Sequence, residues 1–295
     1  MILCKNNNDQ EFKKIIIGTA QFNSDYGVVK KKNRNSNKLI LHANKINLST
    51  FEISTLYNNS IKKIIKNSIN PKFIIKISSK KNSKYVTLQE FNKKIKNLIK
   101  IVGIKKINGF MFHDLNFWDK IKFNDYQKSL ITICKKNKIK IGFSIYNMKE
   151  FNFLEKNYEF NLLQIPLNIF NQEFLNKRFK RIVIKKKIEI HARSVFLQGV
   201  LTNDLNKLPN DFKKFRKYFM YWENFCKKKK ITKVNVAINF VLNQSFVNKV
   251  VLGFKDDYEL VDLTNNFKKF IINCPVKFKK IPSKLKYPFL WKQIK

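Results

Sequence analysis

The sequence predicts an α/β chain that closes as a single (β/α)8 TIM barrel. Two observations carry this reading. Eight short β-prone runs recur along the chain with helical segments between them, and strands alternating with helices imply βα units and a parallel sheet. Several runs are continuously apolar rather than alternating, as expected for strands covered on both faces. A doubly wound fold is the structural alternative, but no GxGxxG opens any helix.

The elements follow in order. The apolar run Ile15-Ile-Ile-Gly18 marks a strand over 14–19, and the amphipathic segment 38–47 a helix after it. A second strand is expected over 48–54 and a helix over 60–68. The run Phe73-Ile-Ile-Lys-Ile-Ser78 gives a strand over 72–78, followed by a helix over 88–101. Strands over 107–113 and 138–144 enclose a helix over 126–137. A helix over 148–156 leads to a strand over 161–166, and a helix over 173–186 to one over 187–192. The interval before the last strand, 249–253, is the longest. It holds two helical segments, 211–229 and 234–243, so an insertion sits there. A helix over 257–270 closes the series. The tail 275–295 is basic and aromatic, and its prolines argue against one regular element. No repeat or linker divides the chain, so residues 1–295 read as one domain with a core at about 14–272.

Composition narrows the function classes. The chain has 295 residues, 44% of them hydrophobic and 28 of them Phe, enough for a large core. No uncharged apolar run is long enough to span a bilayer, and the N-terminus lacks a signal-peptide core. A soluble, cytoplasmic protein is expected, with no membrane partner. Cys4, Cys134, Cys226 and Cys274 form no CxxC pair, and three scattered histidines complete no ligand spacing, so reduced structural thiols and no metal site are expected. The formal charge of +41, from 61 basic and 20 acidic residues, suggests nucleic acid at first sight. Lys, Asn, Ile and Phe are enriched together while Gly is held to 7, which is the skew an AT-rich genome imposes. The lysines spread along the whole chain without an RNA-binding aromatic signature. Non-specific attraction to polyanions at low salt is expected, and no specific nucleic-acid partner.

Three polar side chains fall at or just beyond successive strand ends. Tyr57 follows the second strand, Lys76 lies near the end of the third, and His113 ends the fourth. Neighbouring parallel strands of a barrel would gather them at one rim, where such barrels keep their active sites. A phenol is a poor acid at neutral pH, and a nearby ammonium lowers its pKa. The set then becomes a general acid able to protonate a carbonyl oxygen as hydride reaches carbon. Taken singly, Tyr57 reads as a half-buried loop aromatic and His113 as a core histidine. Lys76 and Gln164 inside apolar strands demand partners. His42 and His191 read as structural.

The stretch Ile17-Gly-Thr-Ala-Gln-Phe-Asn-Ser-Asp-Tyr-Gly27 resembles the GTxQFGxxYG opening of bacterial members of the aldo/keto reductase family. Further segments resemble family motifs in the same order: FEISTLYNNS, FIIKIS, INGFMFHD, IGFSIYN, LLQIPLNIFNQEFL, IEIHARSVFLQGVL and VVLGFKDDYELVDL. The resemblance implies an NAD(P)H-dependent reductase of a small-molecule carbonyl, sugar-like in this subgroup. It implies Tyr57 as proton donor, Lys76 as the cation that lowers its pKa, and His113 as the residue that orients the carbonyl. Glu52 stands where the family has Asp, to pair with Lys76. NADPH or NADH is the implied cofactor. Ser144, Gln164 and Asn168 would hold its nicotinamide amide, Arg193 would stack on the ring, and Ser194, Phe196 and Gln198 would line the pyrophosphate path. Gly253, Phe254 and Lys255 would form the adenosine-phosphate loop, and Glu259 stands at the family's 2′-phosphate-reading Arg. Asn58, Ile61 and Asn23 also depart from the family pattern. With Glu52, the departures Asn58 and Ile61 support a second reading: a degenerate barrel that binds nucleotide or a partner and does little chemistry.

Overall fold

The computed structural model describes residues 9–22, 26–28, 35–55, 59–78, 87–113, 115, 120–275, 278 and 280–293. Eight parallel strands, β1 (Ile15–Gly18), β2 (Thr50–Ser54), β3 (Lys72–Ser78), β4 (Ile107–His113), β5 (Lys140–Ser144), β6 (Leu162–Pro166), β7 (Glu189–Arg193) and β8 (Lys249–Gly253), close a barrel in chain order. Every strand pairs with its successor, and β8 returns to β1 with Gly18 opposite Gly253. All eight expected strands are present: β3, β4 and β8 have the expected bounds, β2, β5 and β6 start later, β1 is shorter at both ends, and β7 starts later and runs on to Arg193.

Side chains alternate across each strand. Phe73, Ile75 and Ile77 join the large core between barrel and helices, whereas Ile74 belongs to a separate cluster with Ile16, Met111, Leu162 and Val251. That second cluster fills the barrel axis. Where β5 and β6 approach closely, Gly142 carries the contact: a Cβ there would lie 1.5 Å from the Leu162 carbonyl oxygen. Full burial of each core Phe stabilises the fold by roughly 1.5–3 kcal/mol, and the phenylalanines are the largest contributors to this core.

The barrel is ringed by α2 (Ser36–Lys45), α3 (Asn59–Asn67), α4 (Leu88–Val102), α5 (Lys120–Lys136), α6 (Met148–Asn157), α7 (Lys177–Lys185), α8 (Arg216–Lys229), α9 (Lys233–Leu242) and α10 (Asp257–Asn266). A short α1 (Asp9–Phe12) precedes β1; the sequence reading did not foresee it. The expected helix over 173–186 is split into a 3-10 turn, Glu173–Leu175, and α7, because Asn176 caps α7 from within that span. The segment 211–229 likewise begins as a 3-10 turn, Asn210–Phe215, before α8. The last helix stops at Asn266, short of the expected 270. The reason lies in α9. Asn235, Asn239 and Asn243, one turn apart, bond alternate backbone groups of the extended stretch from Asn266 to Phe270.

The tail folds back as α11 (Ser283–Lys286) and a 3-10 turn, Pro288–Gln293. Phe278, Ile281, Leu285 and Trp291 are buried. The Tyr287 hydroxyl donates to Glu173 Oε2 at 2.6 Å, while Glu173 Oε1 accepts the Met148 N–H that opens α6. One carboxylate thus ties the tail to the rim. Among the described residues no helix is long and apolar enough to cross a membrane.

The barrel axis is polar at both ends. Below the apolar cluster, Lys140 pairs with Glu189, and Glu189 Oε1 accepts from His191 Nε2 at 2.7 Å. His191 has no solvent exposure. Burial pushes its imidazole down to about 3, an effect that nearby Glu52 opposes and Lys140, Lys249 and Lys76 reinforce.

Candidate active site

The strands deliver their inward polar side chains to the C-terminal rim of the barrel, where a cavity of about 410 Å³ opens. Glu52 projects from the middle of β2 and Lys76 from the adjoining β3. Lys76 Nζ lies 2.7 Å from Glu52 Oε1, and both side chains are at most 13% exposed. The other carboxylate oxygen accepts from Gln164 Nε2, and Gln164 Oε1 accepts from Ser144 Oγ at 3.1 Å. Burial would raise the Glu52 carboxyl, but the Lys76 ammonium, and then the Gln164 amide, hold it below the ordinary carboxylate range. The carboxylate is therefore ionised at neutral pH, and its charge is satisfied on both oxygens, as a buried ion requires.

His113 reaches the same cavity from the end of β4. Its Nε2 lies 3.5 Å from the hydroxyl of Tyr146, a residue that the sequence reading did not single out. Tyr146 follows β5, and Glu150 accepts its backbone N–H at 2.6 Å. Arg193, at the end of β7, lies over the Tyr146 ring with its guanidinium carbon 4.5 Å from the centroid. The guanidinium donates to the Ile145 carbonyl at 2.9 Å and to Ser194 Oγ at 3.2 Å. Its Nε is buried without a partner among the described residues.

The structure brings Glu52, Lys76, His113, Asn168, Arg193, Ser194, Phe196, Gln198, Gly253 and Lys255 to the lining of this cavity. Tyr57, Asn58 and Asn23 lie outside the described residues. Ser144 and Gln164 are almost wholly buried beneath the lining, where they brace Glu52. Phe254 is buried in the apolar core. Asn168 donates to the Ser194 carbonyl and accepts from the N–H groups of Phe170 and Asn171, so it holds its own loop and the one after β7. That second loop is tightly wound: Ser194, Leu197 and Gln198 all have positive φ, as has Gly199. Several non-glycine residues in this left-handed region cost of order 1–3 kcal/mol each, and such strain concentrates where a loop serves a site.

Other lining residues lay beyond the sequence reading. Tyr287 and Phe289 stack at 5.3 Å between ring centroids, and Phe289 meets Tyr146 edge-on at 5.7 Å. The tail thus walls the cavity beside His113. At the opposite side, the Gln21 side chain fills the space over Gly253, where a Cβ would lie 2.0 Å from Gln21 Oε1.

This donor set fits a nicotinamide dinucleotide. The Arg193 Nε–H has no partner among the described residues, the loop after β7 lines the cavity, and Lys255 adds a cation. No group of metal-ligating side chains occurs among the described residues.

The aldo/keto reductase family model matches residues 14–272. Among solved structures, the glycerol dehydrogenase AKR11B4 from Gluconobacter oxydans superposes with a TM-score of 0.66 at 16% identity, covering 90% of this chain and 89% of that one. The holo form of aldo-keto reductase AKR11C1 from Bacillus halodurans gives a TM-score of 0.64 at 10% identity, with 94% of each chain covered. A thermostable aldo-keto reductase, Tm1743, in complex with the inhibitor epalrestat, gives 0.59 at 13%, with 92% and 94% covered. At these identities the likeness speaks for the fold alone. No curated protein matches the chain.

Proposed function

This chain belongs to the aldo/keto reductase family, and from that membership we propose that it reduces the carbonyl group of a small molecule to an alcohol. It is an oxidoreductase of that type, and its cofactor is NADPH or NADH. The observation that carries the finer reading is the buried Glu52–Lys76 pair opening into the same cavity as His113. Bound there, the cofactor supplies the hydride, which no side chain can.

The chain's own groups do the rest. Glu52, fixed by Gln164 and Ser144, keeps the Lys76 ammonium at one place on the rim. An ammonium so placed favours the ionised form of a neighbouring phenol. Tyr57, three residues beyond the end of β2, is the proposed donor of the proton to the carbonyl oxygen. His113 orients that oxygen by hydrogen bonding. Arg193 and the wound loop from Ser194 to Gln198 bind and orient the cofactor. Ser144 and Gln164 serve the site by holding Glu52, and a direct hold on the nicotinamide amide is secondary to that.

The test is reduction of a generic aldehyde by wild-type protein and by Tyr57→Phe, with cofactor binding followed by quenching of intrinsic fluorescence. Runs at about 0.3 M salt screen the long-range attraction of the basic surface. We expect Tyr57→Phe to abolish turnover with cofactor affinity within about threefold of wild type, since only a transition-state interaction is removed. Unchanged turnover would remove Tyr57 from its role. Cofactor binding by wild type with no reduction of any carbonyl would return the reading to a degenerate, nucleotide-binding barrel.

A further inference from the structure

We propose that Tyr146 is a second hydrogen-bond donor to the reacting carbonyl oxygen, acting beside His113. The inference rests on the reductase reading above. Tyr146 is held from three directions. Glu150 fixes its backbone N–H, Arg193 covers one ring face, and Phe289 meets the ring edge-on. Such a hold fixes where the hydroxyl goes, and it goes to the cavity, 3.5 Å from His113 Nε2. A ring needed only for packing gains nothing from an oxygen placed there.

The spacing suits a shared acceptor. Two donors each about 2.7–3.1 Å from one oxygen can stand 3.5 Å apart without crowding. A carbonyl oxygen seated between them would accept from Tyr146 Oη–H and from His113 Nε2–H, in the tautomer with Nδ1 unprotonated. Both donors strengthen as negative charge builds on that oxygen, so they act on the transition state more than on the ground state. The Arg193 guanidinium on the ring face stabilises negative charge drawn onto the phenol, which makes its O–H a stronger donor. No proton leaves Tyr146; the transferred proton is that of Tyr57. Of the other tyrosines that line the cavity, Tyr287 donates its hydroxyl to Glu173 at 2.6 Å and Tyr26 accepts from Gln198 Nε2 at 3.4 Å.

The test compares wild type with Tyr146→Phe, which keeps the ring against Arg193 and Phe289 and removes the hydroxyl. Three readouts are used: kcat/KM for an aldehyde, cofactor affinity, and binding of acetate as an unreactive oxyanion, followed through the imidazole 15N signals of His113. All are taken at constant 0.3 M ionic strength. We expect kcat/KM to fall about a hundredfold, as on loss of one oxyanion donor, with cofactor affinity within threefold. We expect acetate to bind at least fivefold more weakly and to shift His113 Nε2 less. A kcat/KM within threefold of wild type overturns the proposal. So does a cofactor affinity lost in parallel with turnover, which would make Tyr146 a packing residue. If wild type reduces no carbonyl, the reductase reading fails by itself. Acetate then decides the donor pair, and equal binding by the two proteins overturns it.

Discussion

Glu52 shows how one methylene acquires a use. Its two oxygens reach two partners on different strands, Lys76 on β3 and Gln164 on β6, across the barrel axis. A shorter acid at the same Cα cannot span both without moving the ammonium or releasing the amide. We therefore expect Glu52→Asp to lower kcat/KM five- to thirtyfold, about 1–2 kcal/mol in the barrier, with cofactor affinity unchanged. A faster Asp variant in steady-state assays would show that the site has drifted from its best form. At this scale the sequence was legible wherever a polar group interrupts an inward strand face. Lys76 and Gln164 stand out because an apolar strand tolerates such groups only with partners, whereas His113 is picked out by its place at a strand end and Glu52 by the family resemblance. Tyr146 did not stand out, because an aromatic next to a strand end reads as core, and its meaning depends on His113 and Arg193, far away in the chain. The resemblance assigns Ser144 and Gln164 to the cofactor; that Gln164 also holds Glu52, with Ser144 behind it, depends on contacts across the barrel that the sequence does not reveal.

Elements set the second layer of specificity. α10 begins beside Gly253 and Lys255 at the cavity, and a helix N-terminus there would ordinarily attract a phosphate. Here it is already occupied by acids. Asp256 accepts the Glu259 N–H at 3.1 Å, and Glu259 Oε2 accepts the Lys255 N–H at 2.7 Å. A carboxylate so placed accepts well from a ribose hydroxyl and repels a 2′-phosphate. We expect NADH to bind at least fivefold more tightly than NADPH at 0.3 M salt, and Glu259→Arg to invert the order. Equal fluorescence titrations for the two dinucleotides would place the discriminating charge elsewhere, with Lys255 the first alternative. Helix boundaries were the least legible feature. The Asn235, Asn239 and Asn243 ladder ends α10 from a neighbouring helix, a tertiary cause that local periodicity does not carry. The tail's prolines were read correctly as breaking one regular element. That the broken pieces wall the cavity follows from tertiary contacts, the Glu173–Tyr287 bond and the Phe289–Tyr146 packing among them.

At the scale of the whole molecule, charge governs the response to acid. The chain carries +41, and lowering the pH adds more positive charge to a surface that already repels itself. The barrel interior contributes a defined part of this response through His191. Glu189 faces it from its own strand, Lys140 and Lys249 lie close on β5 and β8, and Glu52 and Lys76 act from above. Folded, His191 is held down to about 3, whereas the ordinary value is 6.5. Between these values the unfolded chain takes up a proton that the folded one refuses, so stability falls as pH falls through this window and is full above it. At pH 5 the difference amounts to about 2 kcal/mol relative to pH 7. The depressed carboxylates Glu52 and Glu11 lose their contributions only at lower pH. The expected result is that urea unfolding at pH 7 and pH 5, at fixed 0.3 M salt, shows a loss in wild type that is smaller by about 2 kcal/mol in His191→Gln. Glutamine keeps a donor for Glu189 and cannot be protonated. An identical acid loss in both proteins would mean that His191 accepts its proton inside the barrel, with Glu189 as counter-ion.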